Sequence, residues 1–111
     1  MSSFKKIDVV SEFYPRPKWR YISEGEGSGQ SFRQTMLSDA LNEYEKVEVN
    51  LTGYNRYGPS FISEAFGGLI REEGFRLADI EKKLIVNHEL LPSIVEMCWT
   101  ELKEAEEEVY G

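Results

Sequence analysis

One cysteine, one histidine and four prolines occur among 111 residues, and each scarcity removes a class of chemistry. Cys98 alone cannot close an internal disulfide or form a redox pair. It lies in a helical apolar pattern and reads as a buried, reduced thiol of a cytoplasmic protein. His88 alone leaves metal and acid–base centres short of their commonest ligand. No cluster of His, Cys, Asp and Glu has ligand spacing, so no metal or other cofactor is expected. Basic residues are few as well: thirteen Lys and Arg face twenty Asp and Glu, a net charge of −7. Nucleic acid and anionic lipid both ask for a basic footprint, and neither is an expected partner. No apolar run approaches the roughly 18 residues of a membrane span. The opening Met-Ser-Ser-Phe-Lys-Lys-Ile-Asp lacks the apolar core of a secretory signal.

What is present fits one small α/β domain over 1–111, long enough for a single modest core. The charge is uneven. Residues 1–22 carry net +3 and the remainder −10, with Glu101, Glu104, Glu106, Glu107 and Glu108 making an acidic end at 101–111. No internal repeat is visible.

The apolar pattern gives the elements. Lys6 to Val10 reads as an opening strand. Pro15 and Pro17 force a turn at 14–18, and Trp19 to Ile22 reads as a second strand at an edge. The glycine-rich stretch 23–30 reads as a loop. Phe32, Met36, Ala40, Leu41 and Tyr44 recur at helical spacing, with Ser31 (in a capping box with Gln34) or Ser28 as the cap. Val47, Val49 and Leu51 alternate as in a strand with one buried face. A second helix over about 60–73 buries Phe61, Ile62, Ala65, Phe66, Leu69 and Ile70, with Ser60 as its N-cap. Gly67 and Gly68 are costly inside it, about 1 kcal/mol each relative to Ala, so close packing against a sheet is expected there. Phe75 to Ile80 reads as a short helical turn, Leu84 to Val86 as a buried strand. A last helix over about 90–109 buries Leu91, Ile94, Val95, Cys98, Leu102 and Ala105. Alternating strands and helices predict an α/β fold: a mixed sheet of about four to five strands with three main helices packed on it, the last strands parallel.

Candidate chemistry is sparse. His88 follows a strand, where a turn residue beside an Asn87 cap is the plain reading and a functional histidine the sharper one. Ser60 begins a helix after a strand and a glycine-containing loop, and helix starts favour anions. It reads as an ordinary cap, or as a regulatory or binding serine, since a phosphate there would change the surface. A nucleophile would need a Gly-x-Ser-x-Gly elbow, which is absent. Gly25, Gly27 and Gly29 match neither the Walker loop nor the dinucleotide fingerprint. Phe13, Tyr14, Arg16, Lys18, Trp19, Arg20 and Tyr21 interleave aromatic and basic groups. Such a mixture stacks nucleobases or builds a protein interface, and the acidic remainder favours protein or plain edge packing. Glu72, Glu73, Asp79 and Glu81 read as ordinary surface carboxylates.

Arg20-Tyr21, the run Ser28 to Arg33, Val47 to Leu51 and above all Tyr57 to Phe75 resemble the bacterial and phage STAS-like domains of unknown function, over roughly 4–105. The resemblance is distant to the anti-sigma-factor antagonist STAS domains, which carry a phosphorylatable serine where a strand–loop meets a helix, in the motif Asp-Ser-Ser-Gly. Set against Gly58-Pro59-Ser60-Phe61, that motif puts Pro59 at the acceptor and Ser60 at the second serine. A shift of one residue makes Ser60 the acceptor. The acid and the glycine of the motif are absent from this chain.

The resemblance implies a non-enzymatic regulatory or protein-interaction module in signal transduction. Its implied partner is a histidine-kinase-fold ATPase or another signalling protein, and a homo-oligomer is left open. The expected surface is the Ser60 helix start, with Arg20, Tyr54, Arg56, Tyr57 and Arg71 as contact groups. A small anionic ligand or nucleotide at the same helix start is the alternative, and a small hydrolase is third.

Overall fold

Three short strands carry the sheet: β1 Phe4–Asp8, β2 Lys46–Asn50 and β3 Leu84–Asn87. They lie in the order β1-β2-β3, and both pairings are parallel, with Ile7 opposite Val49 and Val49 opposite Val86. The computed structural model describes residues 3–111; Met1 and Ser2, the head of the expected 1–111 domain, lie outside them.

Alternation decides the layering. Ile7, Val47, Val49, Leu84 and Val86 point to one face and are buried. Phe4, Lys6, Lys46, Glu48, Asn50, Ile85 and Asn87 occupy the other, and none of these is buried. Parallel sheets are usually covered on both faces and read as continuous apolar runs. Among the described residues this one buries the side chains of one face only, which is why its strands alternate. Two crossovers progressing in the same direction put their helices on the same side of the sheet when both are right-handed.

The first crossover is α1 (29–43), in which α-helical Gly29–Phe32 loosens into a π-helical turn, Arg33–Leu37, and tightens again at Ser38–Glu43. Ser28 is the cap, its Oγ accepting from the Ser31 N–H at 3.1 Å. The second crossover begins with α2 (59–71), built likewise from Pro59–Ile62, a π turn Ser63–Gly67, and Gly68–Arg71. It stops at Gly74, whose φ of 80° lets the Phe75 N–H turn back to the Leu69 carbonyl at 3.0 Å. Then come α3 Leu77–Lys83 and, after β3, the long α4 Pro92–Tyr110. The core joins the sheet to Phe32, Leu37, Phe61, Phe66, Leu69, Cys98 and Leu102. All six apolar positions expected in α2 are buried. A side chain at Gly29 would land on the Phe61 carbonyl and lie 3.0 Å from the Ala65 nitrogen. Thus α1 and α2 cross there with their backbones in contact.

The expected mixed sheet of four to five strands with three main helices is corrected. Among the described residues the sheet has three strands, all parallel, and α3 is a further helix where a short turn was expected. The second strand, at 19–22, does not join the sheet. Its segment spends its hydrogen bonds on the glycine-rich stretch: Lys18 N–H to Gly27 O, Gly29 N–H to Trp19 O and Gln30 N–H to Arg20 O. Trp19 sits at φ 73°, a conformation no strand tolerates, and a 3₁₀ turn follows at Ile22–Glu24. The opening strand also ends early. Asp8 accepts from the Ser11 N–H and donates its own N–H to Glu12, so Val9–Phe13 coils into a π turn.

Candidate functional site

Ser60 lies outside the carboxyl end of the sheet, where open parallel sheets generally place ligands. The path to it is tightly held. Beyond β2, Asn50 Oδ1 accepts from the Thr52 N–H, and Thr52 Oγ1 from the Glu89 N–H. Tyr57 is buried, its hydroxyl donating to the Leu51 carbonyl at 3.0 Å and its ring edge-on to Tyr54. Burial pushes the Tyr57 phenol far above its ordinary range. His88, also buried, stands 2.9 Å through Nε2 from the Tyr54 carbonyl, while Nδ1 accepts the N–H groups of Leu90 and Leu91. An accepting Nδ1 requires the Nε2–H tautomer, so the ring donates to Tyr54. His88 therefore staples two loops together.

The N-cap of α2 is Gly58, with Pro59 in the first helical position; Ser60 comes second and is exposed. The expectation that Ser60 caps the helix is corrected, because proline fits the first helical position and thereby moves the cap back to Gly58. Ser60 lines a cleft of about 340 Å³ whose other wall is Pro17, Lys18, Trp19, Arg20 and Glu24. Lys18 Nζ stands 4.5 Å over the Trp19 ring, which is 39% exposed. A larger cleft of about 530 Å³, beside Phe13, Tyr14, Ile22 and Gly27, carries Glu26 as its one charged side chain among the described residues. The smaller cleft is the richer in chemistry.

Behind it lies an ionic network that counting apolar faces does not reveal. Arg33, 2% exposed, donates through Nη1 to the carbonyl of Glu64 and to its carboxylate at 2.7 Å, and through Nε to Glu73 at 2.9 Å. Arg20 reaches the same Glu64 at 3.6 Å and Ser63 Oγ at 3.3 Å. Arg71 donates to the Ser63 carbonyl and hydroxyl. Gly67 and Gly68 make room for these groups: a side chain at Gly68 would land on the Arg33 guanidinium, and one at Gly67 would lie 2.7 Å from Arg71 Nη1. The expected packing of this glycine pair against a sheet is thus corrected. The π turns that begin at Arg33 and Ser63 touch each other, and the pairing of Arg33 with Glu64 bridges them.

The expected contact groups therefore divide. Arg20 and Ser60 share the cleft, Arg71 braces Ser63 beneath it, Tyr54 is half-buried, Arg56 is exposed on the loop, and Tyr57 is interior. Lys18 and Trp19 join Ser60 although the sequence keeps them far apart. A glycine pair in a helix crowded with ionisable residues was the signal for the Arg33–Glu64 network. Among the described residues no group of three or more His, Cys, Asp and Glu is arranged to hold a metal, and no helix is long and apolar enough to cross a membrane.

The model of one family, the STAS-like domain of unknown function (DUF4325), matches residues 28–89, more than half of the chain. That span runs from the α1 cap through β2, α2 and β3 to the residue after His88. No curated protein matches, and no solved structure does.

Proposed function

Because the chain belongs to the family of STAS-like domains of unknown function, we propose that it is a non-enzymatic regulatory module, one domain over 1–111, that captures another protein through the start of α2. The observation that carries this reading is Ser60: exposed at a helix start, on the rim of a cleft, directly after a loop pinned by Tyr57 and His88. A pinned loop suits recognition because little ordering entropy remains to be lost on binding. Arg20 and Arg56 would supply contacts around Ser60. Tyr54, Tyr57 and Arg71 would hold the surface in shape. Resemblance to STAS systems makes a histidine-kinase-fold ATPase or another signalling protein in a bacterial or phage cytoplasm the partner class, and modification of Ser60 would then reverse the charge preference of the surface.

The test is affinity capture from native lysate with wild-type and Ser60→Glu baits, with and without ATP. A stoichiometric partner held by the wild type and lost on Ser60→Glu is the expected result. Equal capture by both baits would move the interaction surface elsewhere.

Lys18 and Arg20 at the cleft support a second reading, a small anionic ligand or nucleotide at the same helix start. A saturable rise in melting temperature with nucleotide alone, abolished by Lys18→Glu, would favour it.

A further inference from the structure

We propose that the cleft between residues 17–24 and the start of α2 is a docking groove for an acidic peptide segment of a partner protein. The inference deepens the interaction reading above and rests on it. It commits the recognised chemistry to carboxylates flanking an apolar side chain.

Charge complementarity carries the argument. The chain as a whole bears −7, so a local excess of cations is not background. Lys18 and Arg20 stand on one wall, and Arg16 and Arg56 lie in the segments that border it. On the opposite wall the first turn of α2 turns its positive end outward, and no side chain among the described residues caps it. Glu24 is the one acid lining the cleft among the described residues and is turned to accept the Tyr21 N–H at 2.9 Å. Arg20 is balanced in part by Glu64 at 3.6 Å, so Lys18 is the lining cation that pairs with no carboxylate among the described residues. The groove is also apolar where it is not positive. Trp19 is held open to solvent at φ 73°, with Pro59 across from it. About 340 Å³ admits a few side chains rather than a folded surface. An aromatic or aliphatic anchor lying on Trp19, with carboxylates toward Lys18 and the α2 amides, satisfies both walls. A basic segment would meet Lys18 and Arg20, and nucleic acid would meet the negative remainder of the molecule.

Selection of random displayed peptides on the immobilised protein tests this directly. Wild type is run in parallel with Lys18→Glu, an exposed change whose fold is checked by circular dichroism. The expected result is enrichment of sequences that combine Asp or Glu with an aromatic or aliphatic residue. Synthetic copies of the enriched peptides should lose roughly tenfold or more in affinity on Lys18→Glu, and should weaken as salt is raised. Enrichment of neutral or basic sequences, equal binding to Lys18→Glu, or no enrichment overturns the inference. A lysate partner lost on Ser60→Glu alongside any of those outcomes leaves the interaction reading standing and sinks only the acidic groove.

Discussion

The guanidinium of Arg33, on α1, occupies the space that a side chain at Gly68, on α2, would fill. The two residues stand 35 positions apart in the sequence, yet each explains the other. Arg33 is buried because Glu64 and Glu73 neutralise it and Gly68 admits it. Gly68 is tolerated in a helix because the guanidinium takes the place of a side chain.

Replacing Gly68 by Ala therefore runs against helix propensity. Propensity alone would stabilise an interior helix by about 1 kcal/mol. The methyl group must instead displace a buried ion held by three hydrogen bonds, and overpacking with loss of a buried pair costs about 3 kcal/mol or more. Gly67→Ala presses only on the end of the half-buried Arg71 and should stay within about 1 kcal/mol of wild type. Urea unfolding of both variants checks the contrast. A stabilising Gly68→Ala would mean that the guanidinium has room to leave at no cost.

This relationship marks where the sequence was legible. Val47, Val49 and, just beyond β2, Leu51 alternate because their side meets the core while Lys46, Glu48 and Asn50 do not, and the α2 stripe repeats because one face meets the core; both patterns record burial of apolar groups, and both elements stand where expected. Arg33 and Glu64 are equally buried, but burial by mutual neutralisation leaves no apolar period to read. The segment at 19–22 misled for a related reason. Its aromatic residues and backbone do seek strand-like partners, but they find them in the glycine-rich stretch at 27–30 rather than in the sheet. Ser60 was legible as a helix-start residue. The cleft it rims was not, because its other wall comes from that misplaced segment.

His88 gives a prediction with a spectroscopic readout. With Nδ1 accepting from Leu90 and Leu91 and Nε2 facing a carbonyl, nitrogen NMR should find the Nε2–H tautomer in the folded protein. His88→Ala removes the acceptor of two amides and the donor to Tyr54, and should cost about 1–3 kcal/mol. An Nδ1–H tautomer would contradict the loop-to-loop staple.

Cys98 is fully buried on α4, and burial pushes its thiol well above the ordinary range. A thiolate-selective reagent at neutral pH should therefore leave it untouched in the native state. Its labelling rate should rise with urea in step with the unfolded fraction, as reactivity follows thiolate exposure. Rapid labelling of the native protein would show that α4 opens locally from α2.

Glu106 yields the pH prediction. Arg76 bonds its carboxylate, at 2.7 Å through Nη2, and the Leu77 N–H adds a second contact at 2.9 Å. Together they hold the carboxyl below its ordinary value of 4.5. A group depressed in the folded state contributes its stability above the unfolded value and loses it as pH falls through the folded one. Wild type should accordingly melt above Glu106→Gln at neutral pH, and the gap should close as the pH drops below about 4. Because both partners lie at the surface, added salt should narrow the part of the gap due to Arg76. The Leu77 N–H can be accepted by a carboxylate or by an amide oxygen, more strongly by the carboxylate. In an Arg76→Gln background, Glu106→Gln should therefore lower the melting temperature by a smaller amount than in the wild type. A gap unchanged down to pH 2 would show that the carboxylate charge plays no part in tying α3 to α4.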